Sequence, residues 1–325
     1  MPTLVIRSGN AARRRLDVSS DSTLGSASIP DDTGVLPHHA VSRPNATGGI
    51  DVSLQPGATA WLNDEPVTGD TFSLRPGDMV CFGSTWLELE HPVLASASVL
   101  LHLELDRLGH PAERGGTISP RSGRAFDTRQ VAAVFLAAAL WGMHEYGLVR
   151  LEPLAQEDPL LGGPFVPIGV SPAAHATERY GIEKQIIATL SAPMRLDQIV
   201  SRWFPIERFS VYANDRQRRY RRSRSHYDPW GTVVDWAVDG MEKSAMLASP
   251  PQEKPGFLGM QTESSMKSDS KIAVLRPETL ATYSRFSERW AQSWLDFHQR
   301  EPWFANALVT EAARVLKRAQ YIDRD

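Results

Sequence analysis

The chain has 325 residues, of which 42% are hydrophobic and 22% are charged, and this is enough to bury two ordinary cores or one large one. A formal net charge of −3 argues against a uniformly basic nucleic-acid-binding protein, and the single cysteine, Cys81, excludes an intramolecular disulfide framework. The free cysteine and the lack of any apolar run long enough to span a bilayer favour a soluble protein of the reducing cytoplasm.

Residues 1–92 contain short runs that alternate between apolar and polar residues, as β-strands do, separated by Gly, Pro, Asn and Asp. The clearest is a hairpin at residues 74–90, in which Gly83 and Ser84 form the turn between two strands. Strands spaced by roughly 8–12 residues predict a β-sandwich or barrel. The other predicted strands lie at residues 3–7, 15–18, 39–42, 50–54, 58–62 and 71–74.

Four segments of this region follow one another in an order and at a spacing that resemble one known family, the forkhead-associated (FHA) domain. That family is a β-sandwich that typically binds phosphothreonine peptides, so the resemblance implies an N-terminal all-β sandwich over residues 1–92. The segments are Thr23-Leu24-Gly25-Ser26, similar to the family's Gly-Arg turn; residues 35–40, similar to its Ser-x-x-His-Ala segment; residues 62–67, similar to its Asn-Gly turn; and residues 74–78 with Phe82 and Gly83, similar to its closing hairpin.

Two positions depart from the family pattern. In the family, the arginine after the turn glycine and the serine three residues before the histidine hold the phosphate. This chain has Ser26 and Leu36 there. The resemblance therefore implies a degenerate site, since losing one arginine–phosphate contact lowers affinity roughly tenfold to a hundredfold. Arg43, or the arginines at residues 13–15, could compensate from a neighbouring loop.

Other positions match the family. The resemblance implies that His39 braces the binding loops and that Asn63 contacts the peptide backbone, while Asp64 replaces the usual glycine in a left-handed turn position. His38 and His39 are adjacent on a strand and point to opposite faces, so no metal site is expected. The predicted peptide-binding residues are Gly25, Ser26, Ser28, His39, Asn63, Asp64 and Arg43.

The pattern changes after residue 92. Residues 99–105 form an apolar run that predicts a strand, and residues 128–146, preceded by the helix cap Asp127, predict a central helix that is apolar nearly all round. This helix is followed by a glycine and a predicted strand at residues 147–151, and the order of these elements also resembles half of a winged helix. Residues 153–172 are rich in proline and predict an extended connector, so that 93–172 would form one segment.

Residues 173–325 predict a mostly helical C-terminal domain with few short strands. The helix predicted at residues 278–298 has a stripe of aromatic residues at three- and four-residue steps, which is typical of a core. The Pro-, Gly- and Ser-rich stretch 249–271 predicts a long mobile loop or a wing. The predicted helices lie at residues 182–190, 196–204, 230–247, 278–298 and 303–321.

A cluster of six arginines lies within residues 216–224. It could bind a phosphate backbone or an acidic protein surface, or it could be an ordinary solvated segment balanced by nearby acids. The sequence does not decide between these three readings. The arginines are Arg216, Arg218, Arg219, Arg221, Arg222 and Arg224.

The P-loop, HExxH, GxSxG and CxxC motifs are all missing, so no catalytic residue, metal or cofactor is predicted. The leading hypothesis is a non-enzymatic adaptor or scaffold that binds a protein partner, phosphorylated or acidic, through a degenerate FHA-like domain and a helical domain. Three further hypotheses compete with it: a nucleic-acid-binding regulator that uses the arginine cluster, retained phosphothreonine-peptide binding in signalling, and an enzyme in the helical half.

Overall fold

The computed structural model divides the chain into two compact units. The first comprises Met1–Ala95, Trp141–Arg150 and Pro172–Thr177, and the second comprises Ser96–Leu140, Leu151–Ser171 and Glu178–Asp325. The arginine cluster at 216–224 and the predicted loop at 249–271 lie outside the residues that the structure describes. Those residues are 2–9, 11–18, 20–46, 48–90, 96–113, 115–154, 166–173, 179–204, 228–244, 246–248, 274–275 and 277–321, of which 247–248, 274–275, 277–282 and 321 are described by backbone conformation alone.

The first unit is built from two antiparallel sheets. One has the strand order β2-β1-β10-β9-β6-β7 and the other β3-β4-β5-β8. The strands are β1 (Thr3–Ile6), β2 (Arg15–Asp17), β3 (Ser22–Leu24), β4 (Ala40–Pro44), β5 (Ile50–Leu54), β6 (Ala60–Leu62), β7 (Glu65–Pro66), β8 (Thr71–Leu74), β9 (Met79–Phe82) and β10 (Thr85–Leu89).

Strand alternation places the core between these two sheets. Val80 and Phe82 of β9 are fully buried in it, whereas Cys81 points to the other face and pairs in register with Trp86 of β10. Ile50 and Val52 of β5 enter the same core from the opposite sheet. The predicted N-terminal β-sandwich is therefore confirmed.

Residues 141–150 pack on the outer face of the six-stranded sheet. Tyr146 is fully buried, and its hydroxyl donates a 2.8 Å hydrogen bond to Glu88 on β10. Arg7 bonds the carbonyl of Glu145 at 2.8 Å and lies 3.4 Å from the Glu88 carboxylate. The first unit thus extends beyond the predicted segment 1–92.

The second unit is mostly helical, as predicted. Among its described helices, α4 packs on α6, α5 and α7 pack on α8, and α1 contacts both α6 and α7. The helices are α1 (Ala97–His102), α2 (Leu105–Leu108), α3 (Thr128–Glu145), α4 (Gly181–Thr189), α5 (Leu196–Trp203), α6 (Pro229–Lys243), α7 (Pro277–Arg300) and α8 (Pro302–Tyr321).

Seven short strands accompany these helices in the described residues. They form two separate two-stranded antiparallel pairs, β11 with β12 and β16 with β17, and a three-stranded sheet in the order β13-β14-β15. The division between the units passes through α3, β13 and β14. The resemblance to a winged helix stays a prediction. The strands are β11 (Thr117–Ile118), β12 (Ala125–Phe126), β13 (Val149–Pro153), β14 (Ile168–Pro172), β15 (Met194–Arg195), β16 (Leu247–Ala248) and β17 (Val274–Leu275).

Two secondary-structure predictions in this unit differ from the structure. The helix predicted at residues 230–247 ends at Lys243, and Leu247 lies in β16. Residues 99–105 form α1 and the start of α2 rather than a strand. All six residues of α1 are buried, so the segment has no polar face, and a short apolar run cannot be assigned by periodicity. The aromatic stripe of α7 is core, since Trp290, Trp294 and Phe297 are each 3% exposed. None of the helices in the described residues has the length and apolar character needed to cross a lipid bilayer.

Candidate ligand-binding end of the sandwich

Two long connections of the sandwich meet at one end. They are the β3–β4 loop (residues 25–39) and the β5–β6 loop (residues 55–59), and the tight β9–β10 turn at residues 83–84 lies beside them. Successive antiparallel strands run in opposite directions, so every second connection comes to the same end. We call this the His39 end, because it contains four of the predicted site residues: Gly25, Ser26, Ser28 and His39.

His39 joins the two loops. Its imidazole is 1% exposed, and Nδ1 accepts a hydrogen bond from the backbone N–H of Leu36 at 3.2 Å. Nε2 lies 2.9 Å from the carbonyl oxygen of Thr59, to which it donates. The ring also packs against Phe82, with centroids 5.0 Å apart. These contacts require the neutral Nε2–H tautomer and hold both loops in place.

Gly25 is required by close packing within the β3–β4 loop. A Cβ at this position would lie 2.0 Å from the carbonyl oxygen of Pro37, so no larger residue fits. The backbone N–H of Ser26 donates to the carbonyl oxygen of Leu36 at 3.1 Å, and that of Ser28 donates to Gly25 at 2.9 Å. The loop is therefore closed on itself by backbone hydrogen bonds.

Asp32 ties the loop to the β9–β10 turn. Its carboxylate accepts hydrogen bonds from the Thr85 hydroxyl at 2.6 Å, the Ser84 N–H at 2.8 Å and the Gly34 N–H at 2.9 Å. These bonds, that of Thr85 above all, lower the pKa of Asp32 to about 2. Ile29 anchors the same loop in the core, where it is fully buried.

The exposed surface of the His39 end lacks the positively charged donors that bind a phosphate. Ser26 is exposed, and Leu36 is 39% exposed where the family has its phosphate-binding serine. Neither loop contains an arginine or a lysine, and the only carboxylates in them are Asp31 and Asp32. A polar cavity of about 120 Å³ lies between these two acids and Ser84. The end is anionic or neutral rather than cationic.

Three of the four arginines that were predicted to compensate form ion pairs elsewhere. Arg13 pairs with Glu145 at 2.7 Å, and Arg15 pairs with Glu90. Arg43 forms a bidentate pair with Asp21, at 2.6 and 2.7 Å, and the hydrogen bond lowers the pKa of Asp21. Arg43 is four residues beyond His39 along β4, or roughly 13 Å, so it lies toward the opposite end of the strand. Arg14 is exposed.

Asn63 and Asp64 also lie away from the His39 end. They form the β6–β7 turn with φ values of 50° and 71°, whereas Thr59, which contacts His39, precedes β6. The Asn63 amide donates to Asp78 at 2.9 Å and accepts from the Met79 N–H at 3.0 Å. Both ends of this amide are thus bonded within the domain, and the structure does not bring it together with Ser26 and His39.

Sequence reasoning missed two residues that shape this end, Asp32 and Thr59. The order Asp-Thr-Gly at residues 32–34 is a recognisable signal for an Asx turn. The hydrogen bond between Asp32 and Thr85 spans 53 residues, and no local pattern indicates it. In the part of the chain that the structure describes, no group of three or more His, Cys, Asp or Glu is placed to hold a metal ion.

Solved FHA domains resemble part of the chain. A crystal structure of the FhaA FHA domain in complex with the intracellular domain of Rv3910 is 19% identical, covers 28% of this chain and 100% of its own, and has a TM-score of 0.24. A structure from an analysis of phosphothreonine-dependent FHA domain interactions is 20% identical, with 28% and 95% covered and a TM-score of 0.23. The solution structure of the FHA domain of an Arabidopsis thaliana hypothetical protein is 19% identical, with 27% and 83% covered and a TM-score of 0.24.

No family model and no curated protein matches the chain. The two packed sheets of residues 2–90 and the loops at their His39 end form an FHA-like β-sandwich.

Proposed function

We propose that the protein is a non-enzymatic adaptor whose FHA-like unit binds an unphosphorylated segment of a partner protein at the His39 end. One observation carries the proposal. The loops are held in a fixed frame by Gly25 and His39, while the two positions that would grip a phosphate are Ser26 and Leu36.

Electrostatics argue against phosphothreonine as the ligand. A phosphate carries a charge of about −1.5 to −2 at neutral pH and needs charge-assisted donors. Asp31 and Asp32 are the only carboxylates of the two loops, which contain no arginine or lysine, and both acids repel a phosphate. Missing even one arginine contact removes about 1.5–3 kcal/mol, the value of a hydrogen bond to a charged group. An acidic partner segment is disfavoured for the same reason.

The His39 end offers an apolar contact instead. The backbone N–H and carbonyl of Leu36 are both hydrogen-bonded, to His39 and Ser26, so its exposed side chain is presented from a rigid position. A preordered contact residue loses little conformational entropy on binding. We therefore expect the ligand to be a neutral or basic peptide segment that packs an apolar side chain on Leu36.

Paired peptide libraries test this proposal. The full-length protein is screened against threonine-containing peptides in phosphorylated and unphosphorylated forms, and binding is measured by fluorescence anisotropy. We expect ligands whose affinity does not depend on phosphate and is lost in Leu36→Asp. Glu65→Ala, beyond the other end of β6, is the matched control. Phosphothreonine peptides that bind while their unphosphorylated forms do not would show that the domain still reads phosphate.

No structural observation favours nucleic-acid binding or catalysis. The arginine cluster, on which nucleic-acid binding depends, lies outside the described residues, and the structure places no group of catalytic side chains at the His39 end. The helical unit, joined to the sandwich in the same chain, supplies the second surface that an adaptor needs.

A further inference from the structure

The second unit contains an apolar cavity that goes beyond the proposed adaptor function. It has a volume of about 290 Å³ and opens between α2, α3, α6 and α8. Buried and half-buried apolar side chains form its walls, and none of the described residues that line it is a carboxylate. The wall residues on which the argument depends are Leu108, Val134, Trp230, Val309 and Ala313.

The floor of this cavity is rigid. Phe135 is 1% exposed, and the indole N–H of Trp230 donates to the side chain of Gln320 at 3.2 Å, which fixes the orientation of the ring. At the end of α2, Gly109 is packed so tightly that a Cβ would lie 2.5 Å from the Phe126 ring. Packing of this kind keeps the cavity open rather than letting it collapse.

The volume sets the size of an occupant. A cavity of about 150 Å³ lined by apolar side chains binds benzene, so this one accommodates roughly a dozen non-hydrogen atoms. That is the lower end of the range for small-molecule sites. A concavity of this size suits a single small ligand better than the long strip of side chains that a partner helix presents.

Arg129 places a positive charge at the rim of the cavity. Arg129, in the first turn of α3, and His110 both line the opening and are exposed. The Arg129 guanidinium forms no hydrogen bond or ion pair with any residue that the structure describes. The acid of this segment, Asp127, is engaged as the cap of α3 and accepts from the backbone N–H groups of Arg129 and Gln130 at 2.9 and 3.0 Å.

We propose that this cavity binds a small amphipathic carboxylate, with its apolar body between Val134, Val309 and Trp230 and its carboxylate at Arg129. The apolar walls contact the hydrocarbon part of the ligand, and the guanidinium provides planar donors that match its carboxylate. A neutral alcohol of the same length gains only the apolar contacts, and a cation of the same length is repelled at the rim.

Decanoate, which has the required size, is the probe. Its binding to the full-length protein is measured by isothermal titration calorimetry below its micelle-forming concentration, beside decanol and decyltrimethylammonium. We expect decanoate to bind, decanol to bind more weakly and the cation not to bind. Arg129→Ala should weaken decanoate about tenfold, the effect of losing one hydrogen bond to a charged group, without changing decanol.

Two further variants complete the test. Ala313→Trp fills the cavity and should abolish binding of decanoate and decanol alike, and Arg318→Ala, an exposed arginine of α8 that does not line the cavity, should change neither. Because Arg129 is exposed, its variant stays informative even if Ala313→Trp does not fold. The proposal is overturned if decanoate does not bind, if Arg129→Ala leaves its affinity unchanged, or if the cationic amphiphile binds equally well.

Discussion

The backbone N–H of Leu36 donates a hydrogen bond to Nδ1 of His39 at 3.2 Å, so a leucine with an exposed side chain is held in the β3–β4 loop by a buried histidine. This relationship makes His39 a structural brace for the proposed binding surface. It also predicts that the two adjacent histidines respond very differently to substitution.

His39→Ala should destabilise the first unit by about 2–4 kcal/mol. It leaves the Leu36 N–H and the Thr59 carbonyl without their partner and opens a cavity beside Phe82, and each of these costs free energy. Urea unfolding followed by circular dichroism measures the change. His38→Ala is the control, because His38 is exposed and its loss should cost less than about 0.5 kcal/mol. Equal effects of the two substitutions would contradict a bracing role.

Ser26→Arg combined with Leu36→Ser should create phosphothreonine binding. The frame that Gly25 and His39 hold is retained, so the two changes restore the donors at positions where the loop is already closed. We expect phosphothreonine peptides to gain roughly tenfold to a hundredfold in affinity over the unmodified protein. Fluorescence anisotropy with phosphorylated and unphosphorylated peptide pairs measures the gain.

Thr33→Arg is the matched control for this gain. It adds the same positive charge to the same loop, but not at the position after the turn glycine. If Thr33→Arg raised phosphopeptide affinity as much as the double variant, net charge rather than the arrangement of donors would explain the result.

The lowered pKa of Asp32 should make the stability of the first unit depend on pH in the acid range. The pKa of Asp32 falls from 3.8 to about 2 on folding because the carboxylate accepts hydrogen bonds, from Thr85 above all. A lowered pKa contributes stability that is fully present above pH 3.8 and is lost as the pH falls through about 2. The free energy of unfolding should therefore decrease across this window, and Asp32→Asn should flatten the decrease. Asp31→Asn, which removes an exposed carboxylate from the same loop, is the control.

The strands of the sandwich could be predicted from sequence because alternation and turn residues are local signals. The end of the sheet at which a residue lies depends on the whole fold, so a local sequence pattern does not predict it. The turn at Asn63 resembles a binding loop of the family, yet β6 separates it from Thr59, and its amide is bonded to Asp78 and Met79. Four residues of extended chain, roughly 13 Å, decide whether a turn residue can reach the His39 end.

In the second unit, secondary structure was hard to predict from sequence for elements that are buried on all sides. The amphipathic helices α5 and α7 show one apolar face, and the sequence predicted both. In α1 every residue is buried, so no pattern distinguished a helix from a strand. The cavity near Trp230 was beyond sequence reasoning as well, because its walls come from four segments that only the fold brings together.

The raised pKa of Glu183 should make the second unit less stable as the pH rises. Glu183 is fully buried, and burial raises its pKa from 4.5 to about 7, although hydrogen bonds from the Ser98 hydroxyl and N–H act in the opposite direction. A raised pKa gives stability that is fully present below pH 4.5 and is lost as the pH rises through about 7. The loss amounts to roughly 3 kcal/mol, at 1.36 kcal/mol for each pKa unit.

Glu183→Gln should remove this dependence. The amide keeps the shape of the protonated acid and can accept from the Ser98 N–H at the same position, so the variant should match the unmodified protein below pH 4.5 and exceed its stability above pH 7. Hydrogen exchange of the α1 and α4 amides on both sides of this window measures local stability. Glu288→Gln, an exposed acid on α7, is the control. If the slope with pH persisted in Glu183→Gln, another buried group would have to carry it.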